Sequence, residues 1–542
     1  MDSPSPTEQQ TPNPLDRGYG ARTPLPPEVE FRTSPEMLAA CVRDAPDRIG
    51  LIAHSAAEGE LQITYAELAD RAAAVAAGFA ALGLRKGDRV AMLISNDAVV
   101  EGHLGVHAAH RLGAIVVPVN VRSVAAEVVW CLRSTGSRVL VYEPGEAAKV
   151  AAVREQLPDL ITVPLGPPGE GEVGWDSLAE NGVAPLADLD PGDGANWVFT
   201  SGTTGYPKIV AHTHRNCVGC GIQIAEAWDL HPEDVYLNCH PFFTASGAST
   251  DLMASLWSQC THVVEPRFDP AESLERVARF RVTNVFWMTP ALALIFASDL
   301  LEGADLSSLR RLLYGGQAMP PEFHLRVDDE FGRGRGIELV HMIGQSEAGP
   351  SGMCLDPEFH RERLGSVGNR GFSRELTQYA LLDQDVREVG PGEEGEICYR
   401  TPSIMERYVG AEDATAEVVH GGWLHSGDLA RYDEDGFVYF VDRLKDVIRR
   451  GGVNIASAEI ERVLRESPDV EDVAAVPHPH EVLGEVVKVV VVRAEGSEID
   501  ADGIVAFAAE RLADFKVPRV VEFRDELPRN DMGKIQKAKL RG

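Results

Sequence analysis

A hydrophobic period that switches from helical to extended and back between residues 64 and 119 constrains this chain more than any other feature. Thr64-Tyr65-Ala66-Glu67 has the spacing of a capping box. In that motif the hydroxyl and the carboxylate each satisfy an N–H that the first helical turn leaves open. Leu68, Val75, Phe79 and Leu82 follow at helical spacing, and Gly83 stops the helix. A strand from Val90 to Ile94, a helix ending at Gly113 and an apolar strand from Ile115 to Val119 complete a βαβ pattern. That pattern predicts parallel strands with helices packed across them.

Further βα units run to about residue 350, and Gly390-Pro391-Gly392-Glu393-Glu394-Gly395 is turn punctuation. The short runs after it, Glu396 to Arg400 and Phe437 to Val441, predict a small β-rich subdomain. Beyond Asp446 the period changes again: Ile460, Val463 and Leu464 mark a helix, Val486 to Val492 a strand, and Ile504, Phe507, Ala508 and Leu512 a second helix. At 542 residues the chain exceeds what one core usually holds. The expected fold is α/β. A large N-terminal domain of βαβ sheets plus the β-rich subdomain spans 30–442, and a small α+β C-terminal domain spans 443–542. Arg443-Leu444-Lys445-Asp446 is the expected hinge. Residues 1–29 are expected to be a flexible tail, because the first 27 hold seven prolines and almost no apolar periodicity.

A net charge of −32 argues against a nucleic-acid partner, since phosphate backbones attract basic faces. No apolar stretch approaches the roughly 18 residues of a membrane span, and Met1-Asp2-Ser3-Pro4 lacks a secretory pattern. Eight scattered cysteines include one CxxC, Cys217 and Cys220, read as two small semi-buried thiols on a helix. A cytoplasmic protein with reduced thiols is expected.

Thr200-Ser201-Gly202-Thr203-Thr204-Gly205-Tyr206-Pro207-Lys208 follows a predicted strand, Trp197-Val198-Phe199. Its glycines allow close backbone approach, and its hydroxyls and N–H groups offer donors to phosphate oxygens. It lacks the spacing of a Walker loop, so composition alone leaves a phosphate cradle and a Ser/Thr-rich surface turn both open.

The stretch resembles the signature loop of the adenylate-forming superfamily: acyl- and aryl-CoA synthetases, peptide-synthetase adenylation domains and luciferases. Other segments are similar to that family's motifs in the same order. They are Gly87-Asp88-Arg89-Val90, Tyr314-Gly315-Gly316, Ile343-Gly344-Gln345-Ser346-Glu347, Ser426-Gly427-Asp428, Asp442-Arg443-Leu444-Lys445-Asp446, Gly451-Gly452-Val453-Asn454-Ile455 and Pro528-Arg529-Asn530-Asp531-Met532-Gly533-Lys534. The resemblance implies an ATP-dependent ligase that joins a carboxylate to the α-phosphate and releases pyrophosphate. Lys534 would bridge the two anions where negative charge gathers in the transition state. Asp428 would accept from the ribose hydroxyls, Arg443 would reach the ribose or a phosphate, and Glu347 would hold Mg²⁺. Thr200, Thr203 and Thr204 would contact the β- and γ-phosphates within a loop that includes Ser201, Gly202 and Gly205. Lys208 would neutralise charge there or anchor the loop. Gly315, Gly316, Gln317, Ile343, Gly344, Gln345 and Ser346 would form the adenine side of the site. Lys445 would be the pivot about which a mobile small domain rotates, withdrawing Lys534 and bringing Gly451-Gly452 to the channel of the acceptor thiol.

Two positions depart from the family pattern. Ile343 stands where a tyrosine usually packs on adenine, and Thr244, in Pro241-Phe242-Phe243-Thr244, stands where many members have histidine. Thr244, Ser246, Gly247 and Thr289 are expected at the acyl pocket, with Gln317 and Gln345 nearby. Unpaired buried polar groups cost about 1–3 kcal/mol each, which favours a short or polar acid over a long fatty acid. The acceptor is expected to be CoA. Phosphopantetheine on a carrier protein, ATP-dependent activation of nitrite for diazotisation, and a non-catalytic nucleotide-binding protein on the same fold are the alternatives. Intact Lys534, Asp428 and Glu347 count against the last. Both a monomer and a homo-oligomer are open.

Overall fold

The computed structural model describes residues 20–541 apart from 28, 30–31, 201–206, 317–320, 350, 451–452 and 531–532. The capping box forms as the sequence requires: Thr64 accepts from Glu67 N–H, and Glu67 returns a bond to Thr64 N–H at 2.9 Å. The helix it starts, Tyr65–Ala81, ends before Gly83, whose φ is +89°. The next helix, Val99–Leu112, closes on Gly113 in the left-handed region. Strands Arg89–Leu93 and Ile115–Pro118 pair in parallel, as the βαβ pattern predicts.

Among the described residues two large sheets hold nine and seven strands. The nine-stranded sheet has a parallel centre that includes Val235–Asn238, Asn284–Phe286, Arg311–Gly315 and Glu338–Gly344. The seven-stranded sheet carries strand Gly194–Phe199, from which the chain enters the Ser/Thr-rich stretch. One apolar core joins them: Leu51 and Ala53 of the first, Val90, Met92 and Val116 of the second, and Phe79, Val106, Val218 and Met253 from the helices. Both large-sheet strand ends therefore have a rigid foundation, because packed cores transmit displacement rather than absorb it.

The β-rich subdomain is an antiparallel sheet that includes Glu394–Arg400, Trp423–Tyr432 and Val438–Arg443. The C-terminal segment is a separate sheet whose long strands Val470–His480 and Gly484–Arg493 pair antiparallel. Helices Ser457–Arg465 and Ala501–Ala509 cover it through Ile460, Leu464 and Ile504. Arg541 returns to the junction, donating to Lys445 O and pairing with Asp446.

Part of the segment expected as a flexible tail is packed against the protein. Residues 1–19 lie outside the described residues, but Ala21, Thr23, Leu25 and Val29 are buried. Thr401 N–H donates to Ala21 O at 3.1 Å, and Arg22 donates to Met405 O and Glu406 O at 2.8 and 2.6 Å. Proline-rich chain lacks periodicity but can still be held extended by a neighbour's backbone. Cys217 and Cys220 do lie on one helix, His214–Trp228, but are fully buried rather than semi-buried.

Candidate active site

Strand register builds the centre of the site. Asp428 in Trp423–Tyr432 sits directly opposite Arg443 in Val438–Arg443. Arg443 Nε lies 2.6 Å from Asp428 Oδ1, yet that buried oxygen accepts no hydrogen bond. The turn before it is tightly specified: Gly427 has φ +75°, its N–H donates to Glu396 Oε1 at 2.7 Å, and Asp428 N–H donates to Ser426 Oγ at 3.0 Å. A buried carboxylate oxygen with a cation beside it and no donor aimed at it is suited to take a ligand hydroxyl.

Charges from three stretches of chain converge here. Burial raises the Asp428 carboxyl above the ordinary aspartate range, opposed by Arg443, Lys534 and Lys445 and reinforced by Glu347. Lys534 shifts the other way: the surrounding protein lowers its ammonium, Arg443 and Lys445 lower it further, and Asp428 opposes them. Lys445 is lowered by the same kind of enclosure, then by Arg443. Both lysines keep exposed surface, so water screens part of this coupling. The three cations outnumber the two carboxylates, an excess suited to a polyanionic ligand.

Glu347 lies in the short turn Ser346–Ala348 and accepts from Tyr408 OH at 2.7 Å. Burial, then the Glu347 charge, raises the Tyr408 phenol, keeping it a donor. Lys208 stands over the Tyr408 ring at 4.4 Å, and Thr200 N–H donates to Lys208 O at 2.9 Å. Thr200 and Lys208 thus close the base of the Ser/Thr-rich stretch, and one aromatic ring connects that base to Glu347. Ser201, Gly202, Thr203, Thr204 and Gly205 lie outside the described residues, as do Gln317, Gly451 and Gly452.

On the adenine side, Gly315 has φ +147°, and a Cβ there would lie 2.1 Å from Met342 O. Only glycine lets the two strands approach so closely. Gly316, Ile343 and Gly344 surround this strand end, and Gln345 Nε2 is buried without a hydrogen-bond partner. An orphaned donor on Gln345 and an orphaned acceptor on Asp428 are the pair a nucleoside would satisfy.

The expected pocket residues have a different character. Thr244 Oγ1 donates to Pro241 O at 2.7 Å and accepts from Gly247 N–H at 3.1 Å, so its hydroxyl is spent on its own turn. Gly247 is required there, since a Cβ would meet Pro241 O at 2.3 Å. Thr289 Oγ1 donates to Gly315 O at 3.3 Å. Ser246 is half-buried at the start of the turn Ser246–Thr250. A small cavity beside that turn is lined by Val198, His212, Cys217, Ala245, Ser249 and Gly349, among others. His212 is buried, and burial, opposed by the Ser346 backbone, holds its pKa down at about 4, so it is neutral. Sequence reasoning missed Tyr408 and His212: neither falls in a motif, Tyr408 arrives by long-range pairing of Arg407–Tyr408 with strand Ile209–Thr213, and His212 lies in that strand, just beyond the Ser/Thr-rich stretch.

Among the described residues no helix is long and apolar enough to cross a membrane. The sequence model of the AMP-binding enzyme family matches residues 38–409, and that of the AMP-binding enzyme C-terminal domain matches 459–534. Feruloyl-CoA synthase from an Amycolatopsis species is 38% identical over 483 residues, covering 89% of this chain and 94% of that protein. Indoleacetate–CoA ligase from Aromatoleum aromaticum is 32% identical over 485 residues, covering 89% and 93%. The crystal structure of ATP-bound MatB from Rhodopseudomonas palustris superposes with a TM-score of 0.82 at 27% identity, covering 93% of this chain and 98% of that one. The chain belongs to the AMP-binding enzyme family and is an ATP-dependent, AMP-forming ligase of its acyl-CoA synthetase type.

Proposed function

We propose that the protein activates an aromatic carboxylic acid with ATP and passes the acyl group to the thiol of CoA. The observation that carries this reading is the convergence of Lys534, Arg443, Lys445, Asp428 and Glu347 on one site. In the first step a carboxylate oxygen attacks the α-phosphorus while the bond to the β-phosphate breaks and pyrophosphate leaves. Lys534 offsets the charge that accumulates between these two anions. Asp428 accepts from the ribose hydroxyls, Arg443 fixes the Asp428 carboxylate, and Gln345 donates to the base. Thr200 and Lys208 hold the base of the phosphate loop. Glu347, with one oxygen tied to Tyr408, fits a Mg²⁺ ligand, and that ion would neutralise phosphate charge. In the second step the thiol attacks the acyl carbon and AMP leaves. Rotation of the small domain about Lys445 separates the two steps.

The aromatic substrate is supported by relatives named for ferulate and indoleacetate. It fits a pocket whose Thr244 and Thr289 hydroxyls are turned to the protein's own backbone and present little polarity to a ring. The ATP requirement and eight unpaired cysteines favour the cytoplasm. The test is a panel of ferulate, indoleacetate, short and long fatty acids and nitrite, each offered with CoA, a holo carrier protein or an aromatic amine. AMP release and product mass are the readouts. An aryl-CoA thioester is expected; AMP formation with nitrite or fatty acids but with no aromatic acid would refute the proposal.

A further inference from the structure

One cluster beside the site has no part in the reaction above. Glu396 and Cys398 alternate along strand Glu394–Arg400 and so share a face, and Cys398 pairs directly with His425 of the neighbouring strand. A carboxylate oxygen, Sγ and a ring nitrogen of these three lie within 4.8 Å of one another, the one such group among the described residues. His425 and Cys398 are buried.

A single nitrogen, His425 Nδ1, faces both the Glu396 carboxylate and the Cys398 thiol. His425 Nδ1 lies 2.8 Å from Glu396 Oε2 and 3.3 Å from Cys398 Sγ. If Nδ1 carries its proton it donates to the carboxylate, and Sγ then faces an N–H already committed. If Nδ1 is bare it takes the thiol proton, but its lone pair then faces a carboxylate oxygen. His425 Nε2 is buried without a partner in either tautomer. One cation at the shared corner would take an electron pair from Glu396, Cys398 and His425 Nδ1 together.

We propose that Glu396, Cys398 and His425 form a binding site for a borderline-soft divalent cation, with Zn²⁺ the ion their donor set selects. A thiolate with an imidazole and a carboxylate is a zinc donor set, whereas Mg²⁺ and Ca²⁺ take oxygen. Tetrahedral Zn²⁺ at ordinary bond lengths needs S···N and N···O edges of about 3.6 and 3.4 Å. The observed 3.3 and 2.8 Å reach these if the side chains part by roughly half an ångström. On binding, the Cys398 thiol proton leaves to solvent and the ring proton of His425 moves to Nε2. The fourth position goes to water, because the exposed His420 ring stacks on His425 at 3.8 Å and its in-plane lone pairs run parallel to that ring rather than toward the cation. Glu396 also holds Gly427 N–H, which places the cation one residue from the backbone of Asp428.

The full-length protein, stripped with a chelator and kept free of nucleotide, is titrated with Co²⁺ as a spectroscopic stand-in and with Zn²⁺ by calorimetry. One equivalent should bind, with the intense near-ultraviolet band of a thiolate bound to Co²⁺, and Zn²⁺ should displace it. Cys398→Ser should lose the band, and Glu396→Gln should weaken Zn²⁺ binding by at least the roughly tenfold that losing even an outer-shell partner of a metal ligand costs. Circular dichroism of each metal-free variant establishes its folding, and His425→Gln replaces Cys398→Ser if that variant fails to fold. Absence of a thiolate band, or its persistence in Cys398→Ser, would overturn the proposal.

Discussion

Asp428 and Arg443 stand opposite each other on adjacent antiparallel strands, 2.6 Å apart, with the aspartate oxygen left without a hydrogen bond. The pairing register alone puts them in contact, so neither depends on a loop for its position. Asp428→Asn keeps the volume but halves the acceptor capacity. A hydrogen bond to a charged group contributes about 1.5–3 kcal/mol, so kcat/KM for ATP should fall by roughly 10- to 100-fold. Because burial raises the Asp428 carboxyl, the carboxylate is lost on acidification at a higher pH than for an ordinary aspartate. The acid limb of the wild-type kcat/KM profile should therefore lie above the usual aspartate range and vanish in Asp428→Asn. Initial rates across pH check both.

Tyr408 connects two parts of the site that the sequence presents as separate motifs, through its hydroxyl on Glu347 and its ring under Lys208. Tyr408→Phe keeps the ring and removes the donor. Its expected effect is a several-fold higher Mg²⁺ requirement with little change in thermal stability. Glu347→Gln should go further and lower kcat as well. A Mg²⁺ titration of pyrophosphate exchange distinguishes the two variants.

Much of this was legible in the chain because the signals are local. The capping box at Thr64 and Glu67, the stop at Gly83 and the alternation through Ile115 each depend on neighbours a few residues away, and each appears at the expected place. Asp428 and Arg443 were legible as motif residues; their facing register was not, since pairing depends on the whole sheet. The extended segment around Ala21 and Leu25 gave no sign of order because its partners, near Thr401 and Met405, lie almost 400 residues on. Composition suggests pocket polarity at Thr244, whereas its hydroxyl serves its own turn; a composition argument does not see which way a hydroxyl points.

Glu265 gives a stability prediction with a definite sign. It is buried, and burial, opposed by Ser273 and by the Arg276 charge, pushes its pKa up to about 8. The folded state thus holds a proton that the unfolded chain releases near the ordinary glutamate value of about 4.3. Wild-type stability should fall as pH rises between those two values, because folding must retain that proton or bury a charge. Glu265→Gln removes this slope. Melting temperatures of the two proteins should differ little at pH 5 and favour the variant clearly at pH 8.

The hinge reading predicts a split between half-reactions. Lys445→Pro fixes φ at the proposed pivot and should leave acid-dependent pyrophosphate exchange within a few-fold of wild type while thioester formation falls at least about tenfold. Single-turnover assays started from preformed acyl adenylate separate the steps. Equal loss of both would count against rotation about this residue.

Lys534 is the residue on which the account depends most. Acid-dependent exchange of pyrophosphate into ATP, compared between wild type and Lys534→Ala, measures its contribution to the chemical step without involving the acceptor. A fall of at least about 100-fold is expected, the size of effect that removing a transition-state charge produces. Thioester formation from preformed adenylate should persist in the same variant. Near-normal exchange in Lys534→Ala would contradict the assignment.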